Sequence, residues 1–437
     1  MRLALGATIS VERFELAMPN GTGLLHVIAR LGIASLAFVV FADGGVTLVR
    51  AYKDAALIEI SADGRLMLAR RDARKITDCP DRRPYCSADV LEVFETATGK
   101  SAGQLVSRGG FNFGLARFFH DHTVVVVEQD WKSSPVRIEW EPASGHRSEA
   151  SLAVPKDGGL ICALNDTSFL AGVADRSVSP WLYRLAVVTA EGVERLQQPD
   201  LPFVRNGVPV SSALARDCGA RLLNDSYLVE GDTTNASLYW VSLHPEVQAR
   251  PCHVFESEKI RNFALSPDGS IIAVATDAVE SASEVGKLHP EHPLWLTVLD
   301  SGGCSVLRKF QLEFPEKQKL RSPPLGSYQY YDNSHFGAQF PATMTVSPDK
   351  TKVALAYGVY RSPSGYAYFG LYSLADGHRL ATIDGDVLHK WLWSGFLNDE
   401  IRAPSAPIHG ALRFSADSRT LFGSSQNLRQ WDLSRLK

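Results

Sequence analysis

The chain lacks an excess of charge of either sign. Its 437 residues contain 45 Lys and Arg against 48 Asp and Glu, which gives a net charge of −3, and no run of basic residues interrupts this balance. Proteins that bind nucleic acids neutralise phosphates with clustered basic side chains. We therefore expect no nucleic-acid partner.

Hydrophobic runs of membrane-spanning length are also missing. The uncharged run at 31–42 is too short to cross a bilayer comfortably, so we expect no stable transmembrane span. With Arg30 before it and Ala42 at its end, the run has the form of a signal-peptide core. We predict a leader over residues 1–45, export to the periplasm or the outside, and cleavage near Ala42. The alternative is a cytoplasmic protein in which this run is a buried strand.

Cysteine is scarce, with six residues in the chain. Cys79 and Cys86 lie close together in a Pro-rich loop, and in an oxidising compartment we predict a disulfide between them. In a cytosolic protein they would be two free thiols. The pairing of the other four cysteines does not follow from the sequence.

Several catalytic motifs are absent from the sequence: G-x-S-x-G, H-E-x-x-H, a phosphate-binding loop and a dinucleotide fingerprint. We expect no cofactor. His120 and His122 flank Asp121, but this triplet occupies a turn of the repeat described below. His289 and His292 lie in an insertion without a complementary pair of ligands nearby. We therefore expect no metal.

What the chain does contain is a repeated unit of four short apolar runs separated by turns and loops. The clearest copies are LIEI-SADG-RLMLAR (57–70), FAL-SPDG-SIIAVAT (263–276), MTV-SPDK-TKVALAYG (344–358) and ALRF-SADS-RTLFGSS (411–425). Runs that alternate, or that are wholly apolar and β-branched, predict half-buried or buried strands. Sustained helical periodicity is almost absent, so the fold class is all-β.

Two turns of the unit carry characteristic residues. Asp suits the first turn because its carboxylate accepts bonds from nearby backbone N–H groups. Gly suits the second because it adopts the positive φ of a tight hairpin. The first-turn aspartates are Asp63, Asp121, Asp166, Asp225, Asp268, Asp349 and Asp417, and the second-turn glycines are Gly99, Gly145, Gly192, Gly303 and Gly377.

The repeat predicts a single β-propeller over residues 46–437, with seven four-stranded blades. One blade cannot bury both of its faces alone, so neighbouring blades must stack. The last unit ends after its third strand, and the segment Val46 to Lys53 precedes the first unit. We predict that this N-terminal strand completes the last blade and closes a monomeric ring.

The repeat resembles the WD-repeat proteins and their bacterial relatives, including TolB-like propellers. Trp431-Asp432 matches the dipeptide that names the family, and the Ser-Pro-Asp-Gly turn at 266–269 is typical of the bacterial branch. The resemblance covers about residues 46–437. It implies the fold and leaves the function open.

In such a blade the chain runs alternately down and up, and nearly every long insertion falls on one face. These are 72–88, 277–293, 358–366, 313–342 and 387–409. Long loops on one face of a rigid ring are usually functional. We therefore predict a non-catalytic scaffold that binds a protein or peptide, or a glycan, through this face.

Aromatic residues mark two of these connections. Tyr and Trp dominate interface hot spots, and we predict a binding patch made of Tyr328, Tyr330, Tyr331, His335, Phe336, Trp391 and Trp393. The alternative is that these loops fold over the ring and their aromatics fill a small core of their own.

The alternative function is an exported propeller enzyme, such as a lactonase, lyase or glycosidase, with His409 as one candidate residue in a central funnel.

Overall fold

The computed structural model describes the chain in segments. These are residues 45–53, 55–76, 86–109, 111–119, 122–129, 134–154, 158–175, 182–195, 222–223, 226–230, 236–242, 248–278, 294–313, 340–361, 364–388, 412–424 and 427–436. The chain divides into two compact units, Met1–Phe38 and Val39–Lys437, and the first lies outside the described residues. The leader over 1–45 stays a prediction.

The described residues form 28 strands joined by turns. In chain order they are β1 (Thr47–Tyr52), β2 (Ala55–Ile60), β3 (Leu66–Ile76), β4 (Cys86–Glu95), β5 (Ser101–Val106), β6 (Asn112–Phe119), β7 (Thr123–Gln129), β8 (Val136–Trp140), β9 (Arg147–Ser151), β10 (Gly158–Ala163), β11 (Phe169–Asp175), β12 (Leu182–Val188), β13 (Val193–Arg195), β14 (Leu222–Leu223), β15 (Ser226–Glu230), β16 (Ala236–Ser242), β17 (Gln248–Phe255), β18 (Glu258–Leu265), β19 (Ile271–Ala278), β20 (Leu294–Asp300), β21 (Val306–Leu312), β22 (Phe340–Val346), β23 (Lys352–Arg361), β24 (Ser364–Ser373), β25 (Arg379–Leu388), β26 (Arg413–Phe414), β27 (Thr420–Ser424) and β28 (Leu428–Asp432). Within these ranges no helix has the length and hydropathy that a membrane crossing needs.

The strands pair into seven four-stranded antiparallel sheets, as the repeat predicts. Sheets I to VI are β2–β5, β6–β9, β10–β13, β14–β17, β18–β21 and β22–β25, and sheet VII is β26–β28 with β1. Strand β7 shows why the sheets must stack: Val124 and Val126 pack toward sheet I, while Val125 and Val127 pack toward sheet III. The sequence of a strand that is buried on both faces is a continuous apolar run.

Apolar clusters join consecutive sheets. They cross from sheet I to II, II to III, IV through V to VI, VI to VII, and VII back to I. Trp431, the Trp of the Trp-Asp dipeptide, is 2% exposed and contacts Phe369 of sheet VI edge to face, with 5.1 Å between ring centroids. The chain is therefore a seven-bladed β-propeller in which each sheet is a blade.

The predicted closure is confirmed. Strand β1 pairs antiparallel with β28, with Thr47 opposite Asp432 and Tyr52 opposite Leu428. Val46, just before β1, is fully buried in the cluster between blades VI and VII. The first strand of the described chain is thus the outer strand of the last blade.

The first turns share one hydrogen-bond pattern in blades I, V, VI and VII. A serine hydroxyl donates to the carboxylate of the aspartate two residues later, at 2.6–2.7 Å, and the backbone N–H two residues after the aspartate donates to the same carboxylate. These aspartates therefore do what the sequence predicted. In blade III the acceptor is Asn165 rather than Asp166. Asp121 and Asp225 lie outside the described residues.

The residue after the turn aspartate has a left-handed backbone. In blades I and V it is Gly64 and Gly269, with φ of 73° and 68°. In blades II, VI and VII it is a side-chain-bearing residue, His122, Lys350 or Ser418, with φ of 69°, 57° and 58°. Each of these three side chains contacts the first turn of the preceding blade.

The predicted second-turn glycines are confirmed in part. Gly99, Gly145 and Gly377 have positive φ. In blade V, however, the left-handed residue is Cys304, with φ of 54°, rather than Gly303. Gly303 instead donates its N–H to the Asp300 carboxylate at 2.6 Å, which places the bend one residue later.

Two predicted insertions are shorter than expected. Strands β3 and β4 extend until Ile76 pairs with Cys86, and β23 and β24 extend until Arg361 pairs with Ser364. The prediction of a long loop at 358–366 was therefore wrong. The Ser-Pro-Ser-Gly run resembles a loop, but the flanking aromatic and β-branched residues continue the cross-strand pairing.

A disulfide joins blades IV and V. Cys252 of β17 bonds to Cys304, the left-handed residue of the second turn of blade V, with 5.1 Å between the Cα atoms. The predicted Cys79–Cys86 pair falls on side chains outside the described residues.

Candidate functional site

A cavity of about 590 Å³ lies where the short turns of blades I, II and III meet. Its residues come from the end of β4 and the second turn of blade II, and from the first turns of blades II and III. This volume is within the roughly 300–1,000 Å³ that is typical of small-ligand sites. The cavity is at the end of the blades that carries the short turns.

Apolar side chains from blades I and II form part of the cavity lining. Leu66 and Ala102 come from blade I, and Phe119, Val125 and Pro142 come from blade II. The two blades are in close contact here, because a Cβ atom on Gly103 would lie 2.3 Å from the Pro142 carbonyl oxygen. The apolar lining is thus a fixed part of the junction between blades.

Two glutamates occupy matching positions in the second turns of blades I and II. The Thr98 hydroxyl donates to the Glu95 carboxylate at 2.5 Å, and the Ser144 hydroxyl donates to the Glu141 carboxylate at 2.9 Å. Both glutamates line the cavity and both are exposed. Each carboxylate is therefore held in place by its own turn while it faces solvent.

Two further carboxylates, Glu139 and Asp166, also line the cavity. Arg137 lies beside both of them. Its Nη2 is 3.0 Å from the Glu139 carboxylate, and its Nε donates to the backbone oxygen of Asp166 at 2.5 Å. Glu139 is therefore neutralised by an ion pair, and the described lining residues include no lysine or arginine.

His122 connects the cavity to blade I. Its Nε2 lies 2.8 Å from the Asp63 carboxylate. Slight burial would raise the pKa of Asp63, but hydrogen bonds from the Arg65 N–H, the Ser61 hydroxyl and His122 lower that pKa to about 2. Asp63 is therefore ionised at neutral pH.

The other turn aspartates have the same electrostatic character. Hydrogen bonds from Ser266 and Lys350 lower the pKa of Asp268, and those from Ser415 and Arg419 lower the pKa of Asp417. Burial opposes the shift at Asp349, yet hydrogen bonds from its own turn lower its pKa as well. General acid–base catalysis at neutral pH needs a carboxyl pKa shifted in the opposite direction.

An ion pair links the first strands of blades I and II. The Glu59 carboxylate accepts the Phe118 N–H at 2.7 Å and lies 3.3 Å from Arg117, which also donates to the Ala163 carbonyl of blade III at 3.4 Å. These bonds hold three neighbouring blades together. In the described part of the chain, no three His, Cys, Asp or Glu residues are grouped so that they could hold a metal ion.

No family model and no curated protein matches the sequence. Solved structures do match it. An oligogalacturonate lyase in complex with manganese is 12% identical, with 90% of this chain and 93% of that chain covered and a TM-score of 0.49. TolB from Acinetobacter baumannii is 13% identical, with 69% and 61% covered and a TM-score of 0.35. The WD40 domain of SCAP from fission yeast is 9% identical, with 89% and 95% covered and a TM-score of 0.38.

The seven four-stranded antiparallel sheets give this chain the fold of a β-propeller. The likenesses concern the fold alone. The matched structures include a lyase and a prolyl endopeptidase as well as WD40 domains. A propeller fold by itself does not decide between a binding scaffold and an enzyme.

The predicted binding residues of this propeller lie in 314–339 and 389–411, outside the described residues. They are Tyr328, Tyr330, Tyr331, His335, Phe336, Trp391 and Trp393. His409, His289 and His292 also lie outside the described part.

The cavity at the turns was missed by sequence reasoning. The sequence pattern that could have indicated the cavity is a glutamate followed three residues later by Thr or Ser and then by Gly. This pattern recurs in two consecutive blades.

Proposed function

We propose that this propeller is a non-catalytic binding scaffold whose partner docks on the face that carries the long connections. The observation that supports this is the difference between the two ends of the blades. One end is closed by tight, internally hydrogen-bonded turns. The strand ends that flank 314–339 and 389–411 lie at the other. A rigid ring with long connections at one end is typical of a binding platform.

The turn aspartates of the described residues have a structural role, because each accepts hydrogen bonds within its own turn. Where the pKa of a carboxyl group departs from its ordinary value, it is lowered, as at Asp63, Asp268, Asp349 and Asp417. Such groups are fixed negative charges at neutral pH rather than proton donors. The partner we propose is a protein or peptide, with a glycan as the other possibility.

The test removes two aromatic side chains from the long connections. We expect Trp393→Ala combined with Tyr330→Ala to weaken partner binding by a few kcal/mol, because large aromatics supply rigid contact area in interfaces. Immobilised full-length chain and the double variant are used to capture partners from the native envelope fraction. Leu307→Ala, at a side chain 53% exposed on the outer strand of blade V, is the matched control.

Thermal unfolding of the double variant distinguishes the two roles of these aromatics. An unchanged melting temperature with weaker capture supports the proposal. A sharply lower melting temperature with intact capture would show that the aromatics form a core and that the patch lies elsewhere.

We also propose that the protein is exported, with cleavage near Ala42. The Cys252–Cys304 disulfide supports this, because disulfides persist mainly in oxidising compartments. N-terminal sequencing of the protein purified from its native cell for the capture experiment tests it. An intact N-terminus on cytosolic protein would rule out export.

A further inference from the structure

The cavity is at the end of the blades that carries the short turns, so an inference about it is independent of the proposed docking surface. The cavity combines a ligand-sized volume of about 590 Å³ with a mixed lining. The lining includes apolar side chains, among them the Phe119 ring, and carboxylates. A ligand that fills it must have both an apolar stem and a charged or polar head.

The charge of the cavity specifies the head group. Among the described residues, Glu95, Glu139, Glu141 and Asp166 line it, and Arg137 forms an ion pair with Glu139. Glu95 and Glu141 are oriented by hydroxyl groups of their own turns. Their negative charge is therefore available to a cation that enters the cavity.

The apolar lining specifies the rest of the ligand. Lysine and arginine bury their methylene stems along apolar surface while their charged ends stay in contact with polar groups. Phe119 provides an aromatic ring, and Arg117 already lies over this ring, 5.7 Å from its centroid. The face of an aromatic ring attracts cations.

The rigidity of the turns reduces the conformational entropy that is lost on binding. The Gly99 N–H bonds to the Glu95 carbonyl, and the Gly145 N–H bonds to the Glu141 carbonyl, both at 2.8 Å. Gly103 lies directly against Pro142. Because both glutamates are held on hydrogen-bonded turns, little conformational freedom is lost when a ligand binds.

We propose that this cavity binds the lysine or arginine side chains of a short basic peptide segment, with Glu95 and Glu141 contacting the cationic groups. The segment belongs to a partner protein that engages the turn face. This site is separate from the aromatic patch on the long connections.

The probe is an acetylated and amidated tetralysine peptide, with binding to the full chain measured by calorimetry at low salt. We expect Glu95→Gln and Glu141→Gln each to weaken binding about threefold and the double variant about tenfold, because each exposed ion pair contributes a few tenths to one kcal/mol. Added salt should weaken binding further. Glu256→Gln, an exposed carboxylate between β17 and β18, makes the same charge change elsewhere and should leave binding unchanged.

Three results would overturn the proposal. One is equal affinity of the parent and the Glu95/Glu141 double variant, with both folded as judged by thermal unfolding. Another is an equal loss of affinity in Glu256→Gln, which would show general charge attraction. The third is binding of spermidine as tightly as tetralysine with the same dependence on both glutamates, which would exclude a peptide occupant. The Trp393/Tyr330 double variant should bind tetralysine like the parent, so this test and the test of the docking face can fail separately.

Discussion

At the residue scale, glycine serves two different purposes in this propeller. Gly64 has φ of 73°, and a Cβ atom there would meet no other atom within 4 Å. Gly103 has an ordinary backbone, but its Cβ atom would lie 2.3 Å from the Pro142 oxygen of the next blade. The first position needs glycine for its backbone conformation and the second for close packing.

Alanine at these two positions separates the two purposes. We expect Gly64→Ala to cost about 1–2 kcal/mol of unfolding free energy, the price of a left-handed alanine. Gly103→Ala should cost more, because blades I and II must separate to admit the methyl group. Chemical denaturation of both variants measures the difference. Equal costs would contradict the close contact at the I–II junction.

At the scale of the structural element, the first turn is the most regular feature of the blades. Ser347 is fully buried, donates to the Asp349 carboxylate at 2.6 Å and accepts the Lys352 N–H at 2.9 Å. The next residue, Lys350, contacts Asp268 of the preceding blade at 2.9 Å. One short turn thus orders its own hairpin and also contacts a neighbouring blade.

Ser347→Ala should cost about 1–3 kcal/mol at neutral pH, because the Lys352 N–H and the Asp349 carboxylate lose a buried partner. Ser148→Ala, at an exposed position of β9, is the control and should stay within about 0.5 kcal/mol of the parent. Urea denaturation measures both. A cost for Ser347→Ala as small as that of the control would show that the serine does not stabilise the turn.

The lowered pKa values of the turn aspartates predict that the folded protein loses stability in acid. An aspartate with a lowered folded-state pKa stabilises the fold above its unfolded value of about 3.9. That stability is lost as pH falls through the folded value, which is about 2 for Asp63. The unfolding free energy should therefore decline from about pH 4 toward pH 2, and Asp63→Asn should show a shallower decline. Equal slopes in parent and variant would contradict this origin of the acid sensitivity.

At the scale of the whole molecule, two features hold the ring together. Strand β1 completes blade VII by pairing with β28, so both ends of the propeller chain lie in one sheet. The Cys252–Cys304 bond spans a sequence separation of 52 residues and clamps blade IV to blade V. The described exposed large hydrophobic residues, Val254, Val306 and Leu307, lie near this bond on the outer strands of the same two blades.

Replacement of both cysteines by serine should lower the unfolding free energy by about 2–4 kcal/mol, because the unfolded chain regains the freedom of a loop of that length. The fold itself should persist, since the apolar cluster through blades IV, V and VI does not depend on the bond. Denaturation of the oxidised parent, the reduced parent and the double variant checks this. A variant as stable as the oxidised parent would contradict the stabilising role.

Strand identity, blade number and ring closure could be predicted from the sequence, because each is a local pattern repeated along the chain. A run such as Val124 to Val127 must be a buried strand, and a last unit that lacks its fourth strand must take one from elsewhere. The Ser-x-Asp turns were predictable for the same reason, since the bonds that order each turn internally fall within six residues.

Tertiary structure alone decided the features that depend on contacts between blades. The Cys252–Cys304 pairing, the contact of His122 with Asp63 and the cavity at the turns each combine residues from different repeats. Glu95 and Glu141 are ordinary exposed glutamates in the sequence. They become parts of one site because stacking brings the ends of neighbouring blades together. The distance between neighbouring blades is set by side-chain packing between the sheets rather than by any local pattern.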